Sequence, residues 1–95
     1  MSLPIVFSPT AEHTLLSVTR FIKEKWGKKA SDKFKIKVDK TLRILQEQPF
    51  IFKASILAPE IRKGIISKQT SFIYQVHSDR IEIHFFIDNR QDPIL

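Results

Sequence analysis

The hydrophobic period of this chain changes once, and that change constrains which folds are open to it. Between residues 8 and 49, apolar residues recur every three or four positions, the spacing of amphipathic helices. From Glu60 onward, apolar and polar residues alternate, which is the spacing of half-buried strands. A block of helices followed by a block of strands predicts an α+β domain, with a helical hairpin packed on one face of an antiparallel sheet.

Capping residues, proline and glycine give the boundaries of the first elements. The β-branched residues of segment 4–7 predict a short strand. Ser8 and Pro9 follow as an N-cap and a first-turn proline, Glu12 adds acidic charge to that turn, and Gly27 ends the helix. Its apolar face is predicted to consist of Ala11, Leu15, Val18, Ile22 and Trp26.

A second amphipathic helix is predicted to begin near Lys29 or Ala30 and to end at Pro49. Its apolar positions are Ala30, Phe34, Val38, Leu42 and Leu45. Joined at one glycine, the two helices are expected to form an antiparallel hairpin. Segment 50–59 has no clear period and is predicted as a loop. Its apolar side chains are expected to lie beneath the helices, and they are Phe50, Phe52, Ile56 and Leu57.

Three strands are predicted at residues 61–66, 71–76 and 80–87, joined by short turns at 67–70 and 77–79. Short turns between consecutive strands indicate an antiparallel meander. Alternation in the last strand places two sets of residues on opposite faces. These are Ile81, Ile83, Phe85 and Ile87 on one face, and Arg80, Glu82, His84 and Phe86 on the other. The predicted order is β-α-α-β-β-β, in a single domain over residues 1–95.

Composition excludes several kinds of chemistry. The chain has no cysteine, so disulfides, Cys-ligated zinc and thiol nucleophiles are ruled out. His13, His77 and His84 are isolated in sequence, and no glycine-rich phosphate loop occurs. We therefore predict no metal site, no cofactor and no small-molecule substrate. No signal peptide or apolar membrane span is apparent, so the expected location is the cytoplasm.

The positive charge is concentrated in one stretch. Sixteen Lys and Arg stand against ten Asp and Glu over the whole chain, a net charge of +6. Residues 20–43 hold ten basic and three acidic residues, which gives this stretch a net charge of +7. One interpretation is an electrostatic footprint for an acidic partner, either nucleic acid or an acidic peptide. The other is a solvated helical face rich in lysine.

A second basic group flanks the strands. Arg62, Lys63 and Lys68 lie around the first strand of the meander, and Arg90 and Gln91 follow the last strand. If the sheet brings Arg62 and Arg90 together, they would converge on a phosphate or a carboxylate. The alternative is that Arg90 pairs with Asp88 or Asp92 and closes the C-terminal end.

Several strings, in their order along the chain, coincide with those of a known family. They are Phe21-Ile22-Lys23-Glu24-Lys25-Trp26-Gly27, Ile44-Leu45-Gln46-Glu47-Gln48-Pro49, Ile61-Arg62-Lys63-Gly64, Phe72-Ile73-Tyr74-Gln75-Val76 and Asp88-Asn89-Arg90-Gln91-Asp92-Pro93. Over nearly its whole length the chain resembles the RelE/ParE toxins of bacterial type II toxin–antitoxin systems, also known as plasmid stabilisation proteins. The resemblance implies a compact growth-inhibiting toxin, a cognate antitoxin that neutralises it, and action inside the bacterial cell.

The two branches of this family differ in target. RelE-like toxins cut mRNA on the ribosome with Lys and Arg side chains from the sheet and a C-terminal basic or aromatic residue. ParE-like toxins inhibit DNA gyrase and lack that cluster. Ser71 stands where the RelE branch has an Arg, Arg62 where it has a Lys, and Gly64 where it has a second Lys. Arg90 or Gln91 occupies the position of a later Arg.

The resemblance therefore favours the ParE branch, a toxin that is not an enzyme. The sequence reaches Leu95 without a terminal Tyr or His, and Tyr74, in the middle of a strand, is expected to be packed. The alternatives are a ribosome-dependent endoribonuclease and a non-toxic basic binding module. In the nuclease, Arg62, Lys63 and Arg90 would hold the phosphate and His84 would transfer a proton.

Residues for binding the target or the antitoxin are expected mainly on the second helix. The predicted set is Lys28, Lys29, Lys33, Lys37, Lys40, Arg62 and Arg90. An acidic or amphipathic antitoxin segment would fold as it binds across the helical hairpin and the sheet edge, and a larger toxin–antitoxin complex is a further expectation. The expected macromolecular target is gyrase, or the ribosome for the nuclease alternative, and no membrane is expected as a partner.

Overall fold

Two helices and four strands make up residues 2–91, the part of the chain that the computed structural model describes. In chain order they are β1 (Ile5–Phe7), α1 (Pro9–Trp26), α2 (Lys28–Glu47), β2 (Ile61–Ile65), β3 (Thr70–Val76) and β4 (Ile81–Asp88). The predicted order of elements and the α+β class are confirmed. Asp92, the second predicted partner of Arg90, and the terminal Leu95 lie outside the described residues. Neither helix is long and apolar enough to cross a membrane.

The helical hairpin begins and turns where the sequence predicts. The Ser8 hydroxyl accepts a hydrogen bond from the Ala11 amide at 3.0 Å and caps α1. Gly27 has a φ of +93°, which a side chain would disfavour, and its amide donates to the Lys23 carbonyl. This turn is so short that α2 starts at Lys28, one residue earlier than predicted.

Both helices bury the predicted face, with one exception. The buried positions are Ala11, Val18 and Ile22 on α1, and Ser31, Phe34, Val38 and Leu45 on α2. Trp26, predicted to belong to the apolar face, is 54% exposed. It is the last residue of α1, where the chain turns into α2, so that part of the prediction is wrong.

The sheet is mixed, with strand order β1-β4-β3-β2. Strands β2, β3 and β4 form the predicted antiparallel meander. The short strand β1 joins it at the other edge and pairs with β4 in parallel, so the expectation of a wholly antiparallel sheet is incomplete. Parallel pairing needs a long connection between the strands. Here the helical hairpin and the other strands separate β1 from β4 in the chain.

A β-bulge in β4 changes which residues of that strand are buried. Ile73 pairs with Phe85 and Tyr74 pairs with Ile83, which leaves His84 without a register partner. The extra residue exchanges the two faces of the strand beyond it. Ile81 and Ile83 are buried as predicted, whereas Phe85 and Ile87 are exposed, and Phe86 and Asp88 are buried instead. The predicted common face of Ile81, Ile83, Phe85 and Ile87 is therefore wrong beyond Ile83.

Aromatic rings from β3 and β4 form the centre of the core. The Phe72 ring lies 5.7 Å from the ring of Phe86 and 5.5 Å from that of Tyr74, measured between centroids. Tyr74 is fully buried, as expected for a packed residue, and its hydroxyl donates to the Pro49 carbonyl at 2.9 Å. Burial raises the pKa of this phenol.

Segment 50–59 is irregular, as predicted, but most of its apolar side chains do not lie beneath the helices. Phe52 packs edge-on against Phe72, with 6.2 Å between ring centroids. Phe50 is 65% exposed, and Ile56 and Leu57 are each 96% exposed, so the prediction is wrong for those three. The reason is that the segment follows the outer edge of β2, where Ala54 forms a bridge with Arg62.

Candidate binding surface

The lysines of α2 form a stripe along one side of the helix. Lys29, Lys33, Lys37 and Lys40 are spaced four, four and three residues apart, so they lie one above another, and all are exposed. None of these four forms an ion pair within residues 2–91. Lys28 behaves differently, because its ammonium lies 2.8 Å from the Asp32 carboxylate. The structure thus brings together four of the five predicted helix lysines.

Two lysines of the stripe line a cleft at one end of the molecule. The cleft has a volume of about 360 Å³ and lies between α2, the end of α1 and the turn before β3. Lys33, Lys37 and Arg90 supply its cationic side chains, and Trp26 lies beside them. Apolar residues that include Ile22 and Phe34 also line it. We call this feature the Trp26 cleft.

Arg90 is held in this cleft by a buried carboxylate. Its Nε and Nη2 atoms donate to the two Asp88 oxygens at 3.0 and 2.7 Å, and the Thr70 hydroxyl donates to the same carboxylate. The guanidinium lies 5.2 Å from the Trp26 ring centroid. Burial alone would raise the pKa of Asp88, but the hydrogen bonds from Arg90 and Thr70 hold it below its ordinary value. The predicted alternative, a pair between Arg90 and Asp88, is confirmed.

Arg62 lies elsewhere. Its Nη1 donates to the Phe52 carbonyl at 2.7 Å, and its guanidinium stacks 4.8 Å from the Phe50 ring centroid. Arg62 faces Tyr74 across the strands, whereas Asp88 faces Thr70, four residues away along β3. Four strand residues span about 13 Å. The expected convergence of Arg62 and Arg90 on one anion is therefore wrong, because the strand register separates them.

The other two nuclease candidates lie outside the Trp26 cleft. Lys63 is exposed on β2 and alternates with Arg62, but both side chains line one cleft at the outer edge of that strand, beside segment 51–55. His84, the bulged residue of β4, lines a separate shallow depression. Its Nε2 lies 3.3 Å from the Gln75 side-chain oxygen. Among residues 2–91, no three potential metal ligands lie together.

An apolar groove between the helices was missed from the sequence. It has a volume of about 510 Å³, and its apolar lining residues are Phe7, Leu15, Leu16, Val38 and Leu42. The sequence does carry a signal for it in Leu16, an apolar residue next to Leu15 but outside the predicted apolar face. Leu16 is 48% exposed. Glu12, Lys35 and Asp39 also line the groove.

Comparison with known proteins identifies the fold. No protein-family model matches the chain, and no curated protein matches it by sequence. A chain of the chromosomal ParDE toxin–antitoxin system from P. aeruginosa has a TM-score of 0.75 and 14% identity, covering 92% of this chain and 96% of that one. The YoeB dimer from Staphylococcus aureus gives a TM-score of 0.61 and 17% identity, covering 92% and 97%. The chain has the RelE/ParE toxin fold.

The resemblance seen in the sequence strings is thus confirmed at the level of the fold. At such low identities, a common RelE/ParE fold does not specify a common target. The side chains have to distinguish the two branches. In this RelE/ParE fold Arg90 lines the Trp26 cleft, whereas Arg62 and Lys63 line a cleft at the edge of β2 and His84 a separate depression.

Proposed function

We propose that this chain is the toxin of a bacterial type II toxin–antitoxin system, that it acts in the cytoplasm by inhibiting DNA gyrase, and that a cognate antitoxin neutralises it. The likeness to a chain of the ParDE system, with a TM-score of 0.75 over 92% of this chain, supports the toxin assignment. The placement of the basic side chains supports the ParE-like rather than the RelE-like activity.

One observation carries the choice between the two activities. Cleavage of RNA through the 2′-hydroxyl needs a base, an acid and positive charge at a single phosphate. Arg62 contacts the Phe52 carbonyl and Arg90 contacts Asp88, and the β3 partners of Arg62 and Asp88 lie four residues, about 13 Å, apart along that strand. Arg62 and Lys63 share one cleft at the edge of β2, whereas Arg90 lines the Trp26 cleft and His84 a separate depression, so the four candidates do not surround one phosphate.

The helical hairpin offers a suitable surface for the antitoxin. The groove between α1 and α2 is mainly apolar, with Lys35, Glu12 and Asp39 also lining it, and the lysine stripe lies on the other side of α2, next to the Trp26 cleft. A disordered segment with an apolar face would bury that face in the groove and fold as it binds, and acidic residues that continue around α2 would meet the lysine stripe.

The test uses the purified chain in two assays run side by side. We expect micromolar protein to inhibit DNA supercoiling by gyrase, and its expression in cells to arrest growth with induction of the DNA-damage response. A ribosome-dependent cleavage assay with the same preparation should leave the mRNA intact. Co-expression of the acidic protein encoded by the adjacent reading frame should restore growth.

The opposite result identifies the alternative. If mRNA is cut in translating extracts, supercoiling is unaffected, and Arg62→Ala/Arg90→Ala abolishes the cutting, the chain is a RelE-like endoribonuclease and the gyrase proposal is wrong. Harmless overexpression without any antitoxin would instead identify a non-toxic basic binding module, and would overturn the toxin proposal itself.

A further inference from the structure

We propose that the Trp26 cleft binds an acidic peptide segment of a protein partner, with an apolar side chain of the peptide inserted beside Trp26 and flanking carboxylates bound by Lys33, Lys37 and Arg90. Lys33 and Lys37 lie one helical turn apart and form no ion pair within residues 2–91. Both point into the same cleft as Arg90. As far as residues 2–91 show, the cleft is therefore cationic and has two ammonium groups available to an incoming carboxylate.

Arg90 is already positioned to take part. A guanidinium carries five N–H groups, of which Asp88 accepts two, one from Nε and one from Nη2. Three remain for another acceptor. Because Asp88 and Trp26 fix the side chain, binding a carboxylate there loses little additional conformational entropy.

The lining of the cleft favours a peptide over a nucleic acid. Apolar surface between the cations is supplied by Ile22, Trp26 and Phe34. A phosphodiester backbone would leave that surface exposed to water, whereas an apolar peptide side chain would cover it. Trp26 also has at most one face of its ring left for a base. Arg90 lies over its ring, and Phe21 packs edge-on against it, with 5.9 Å between centroids at 79°.

The size of the cleft agrees with a short segment. A volume of about 360 Å³ is at the small end of ligand sites, where pockets run from about 300 to 1,000 Å³. One apolar side chain and the acidic residues beside it would fill it. The inference rests on the proposed function for the source of the peptide, the neutralising partner, but the site itself is argued from its side chains.

The chain provides its own reporter, because Trp26 is its single tryptophan. The probe is a blocked synthetic peptide of sequence EDLEDLE, added to the full chain while indole fluorescence is followed. We expect a saturable change in emission. Lys33→Gln/Lys37→Gln should weaken binding about tenfold or more, since it removes both free ammonium groups. The isosteric peptide QNLQNLQ, without carboxylates, should not bind.

The matched control variant is Lys25→Gln/Lys53→Gln, which removes the same two charges from exposed positions that do not line the cleft. We expect it to change the affinity less than about twofold, because exposed charges outside the site act only through a screened field. Circular dichroism and thermal melting verify that both variants are folded. Equal weakening by both variants would show that the peptide responds only to net charge, and would overturn the site.

Two further outcomes separate this inference from the proposed function. If expression is harmless but EDLEDLE still binds and depends on Lys33 and Lys37, the toxin proposal fails and the cleft stands. If the chain is toxic and neutralised but Lys33→Gln/Lys37→Gln binds the peptide like wild type, the cleft inference alone is wrong. A single-stranded oligonucleotide that competes for the cleft more tightly than the peptide would also overturn it.

Discussion

At the residue scale, Asp88 is the buried charge on which the position of Arg90 depends. Its side chain is fully buried, and it accepts hydrogen bonds from Thr70 and from the Arg90 amide and guanidinium. Since hydrogen bonds to a charged group each contribute about 1.5–3 kcal/mol, this carboxylate stabilises the C-terminal end of β4 as well as the cleft. Breaking such a pair from one side leaves the other charge without its partner.

We therefore expect Asp88→Asn to lower the free energy of unfolding by about 3 kcal/mol at pH 7. The pH dependence follows from the pKa. Asp88 titrates below its unfolded value in the folded chain, so its contribution is complete above about pH 4 and is lost as pH falls through the folded pKa. Urea denaturation at pH 7, 4 and 3 should show wild type and variant converging in acid.

The control for this prediction is Asp79→Asn, which removes an exposed carboxylate that pairs only with the neighbouring Arg80. An exposed pair contributes about 0–1 kcal/mol, so this variant should remain close to wild type at every pH. A stability difference between wild type and Asp88→Asn that stays constant from pH 7 to pH 3 would contradict the assignment of the buried charge.

Gly64 is the second informative residue, because the ring of Phe72 lies across it. An added Cβ would clash with the Cζ and Cε1 atoms of that ring. Phe72 is fully buried, so it cannot easily move aside. The same contact excludes an extended side chain at this position.

We expect Gly64→Ala to destabilise the fold by about 1–3 kcal/mol through overpacking. Thermal melting of this variant should be compared with that of Lys63→Ala, the exposed neighbour on the same strand, which should change stability by less than about 0.5 kcal/mol. If the two alanine variants melt together, the packing of Phe72 on Gly64 is looser than the structure indicates.

At the element scale, the bulge in β4 shows where the alternation of apolar residues stops predicting which face of a strand is buried. The alternation of residues 80–87 predicts one buried set, yet Phe85, Phe86 and Ile87 are all apolar, so either phase satisfies the pattern. The inserted residue His84 decides the phase. Its carbonyl accepts from the Ser8 hydroxyl at 2.7 Å, and the Ser8 amide donates to the Ile83 carbonyl. That contact spans 76 residues of chain and has no local signature.

The Ser8 hydroxyl consequently stabilises two elements, the start of α1 and the bulge of β4. We expect Ser8→Ala to cost about 1–2 kcal/mol, at the upper end for an N-cap, because the His84 contact is lost together with the cap. Thr10→Ala, an exposed change in the same first turn, should cost less. Equal unfolding midpoints for the two variants in guanidinium would argue against the double role of Ser8.

At the scale of the whole molecule, local patterns predict the elements, and long-range contacts decide how they meet. Helix starts, the Gly27 turn and the meander follow from spacing and capping residues near in sequence. The parallel pairing of β1 with β4 and the Trp26 cleft join segments more than 50 residues apart, which no periodicity encodes. The exposed apolar side chains of segment 50–59 run against the ordinary burial preference as well.

That arrangement predicts an uneven distribution of local stability. Strand β3 is paired on both sides, with β2 and β4, and contributes the buried rings of Phe72 and Tyr74. Segment 50–59 has mostly exposed side chains, and its contacts with β2 are few: the Ala54–Arg62 bridge, the Ser55 amide donating to the Ile61 carbonyl, the Ile61 amide donating to the Ala58 carbonyl, and the Arg62 guanidinium donating to the Phe52 carbonyl. Amides that open without unfolding the core exchange fastest.

Hydrogen exchange followed by NMR should therefore show slow exchange for the amides of β3 and fast exchange for those of segment 50–59. Those of Phe72 and Tyr74 should exchange only by global unfolding, about a thousandfold or more slower than that of Ile56 after correction for intrinsic rates. Ser55 provides an internal check, because its hydrogen-bonded amide should be slower than its neighbours. Protection across segment 50–59 equal to that of β3 would mean that Ile56 and Leu57 are covered in solution, and hence that the chain associates through this loop.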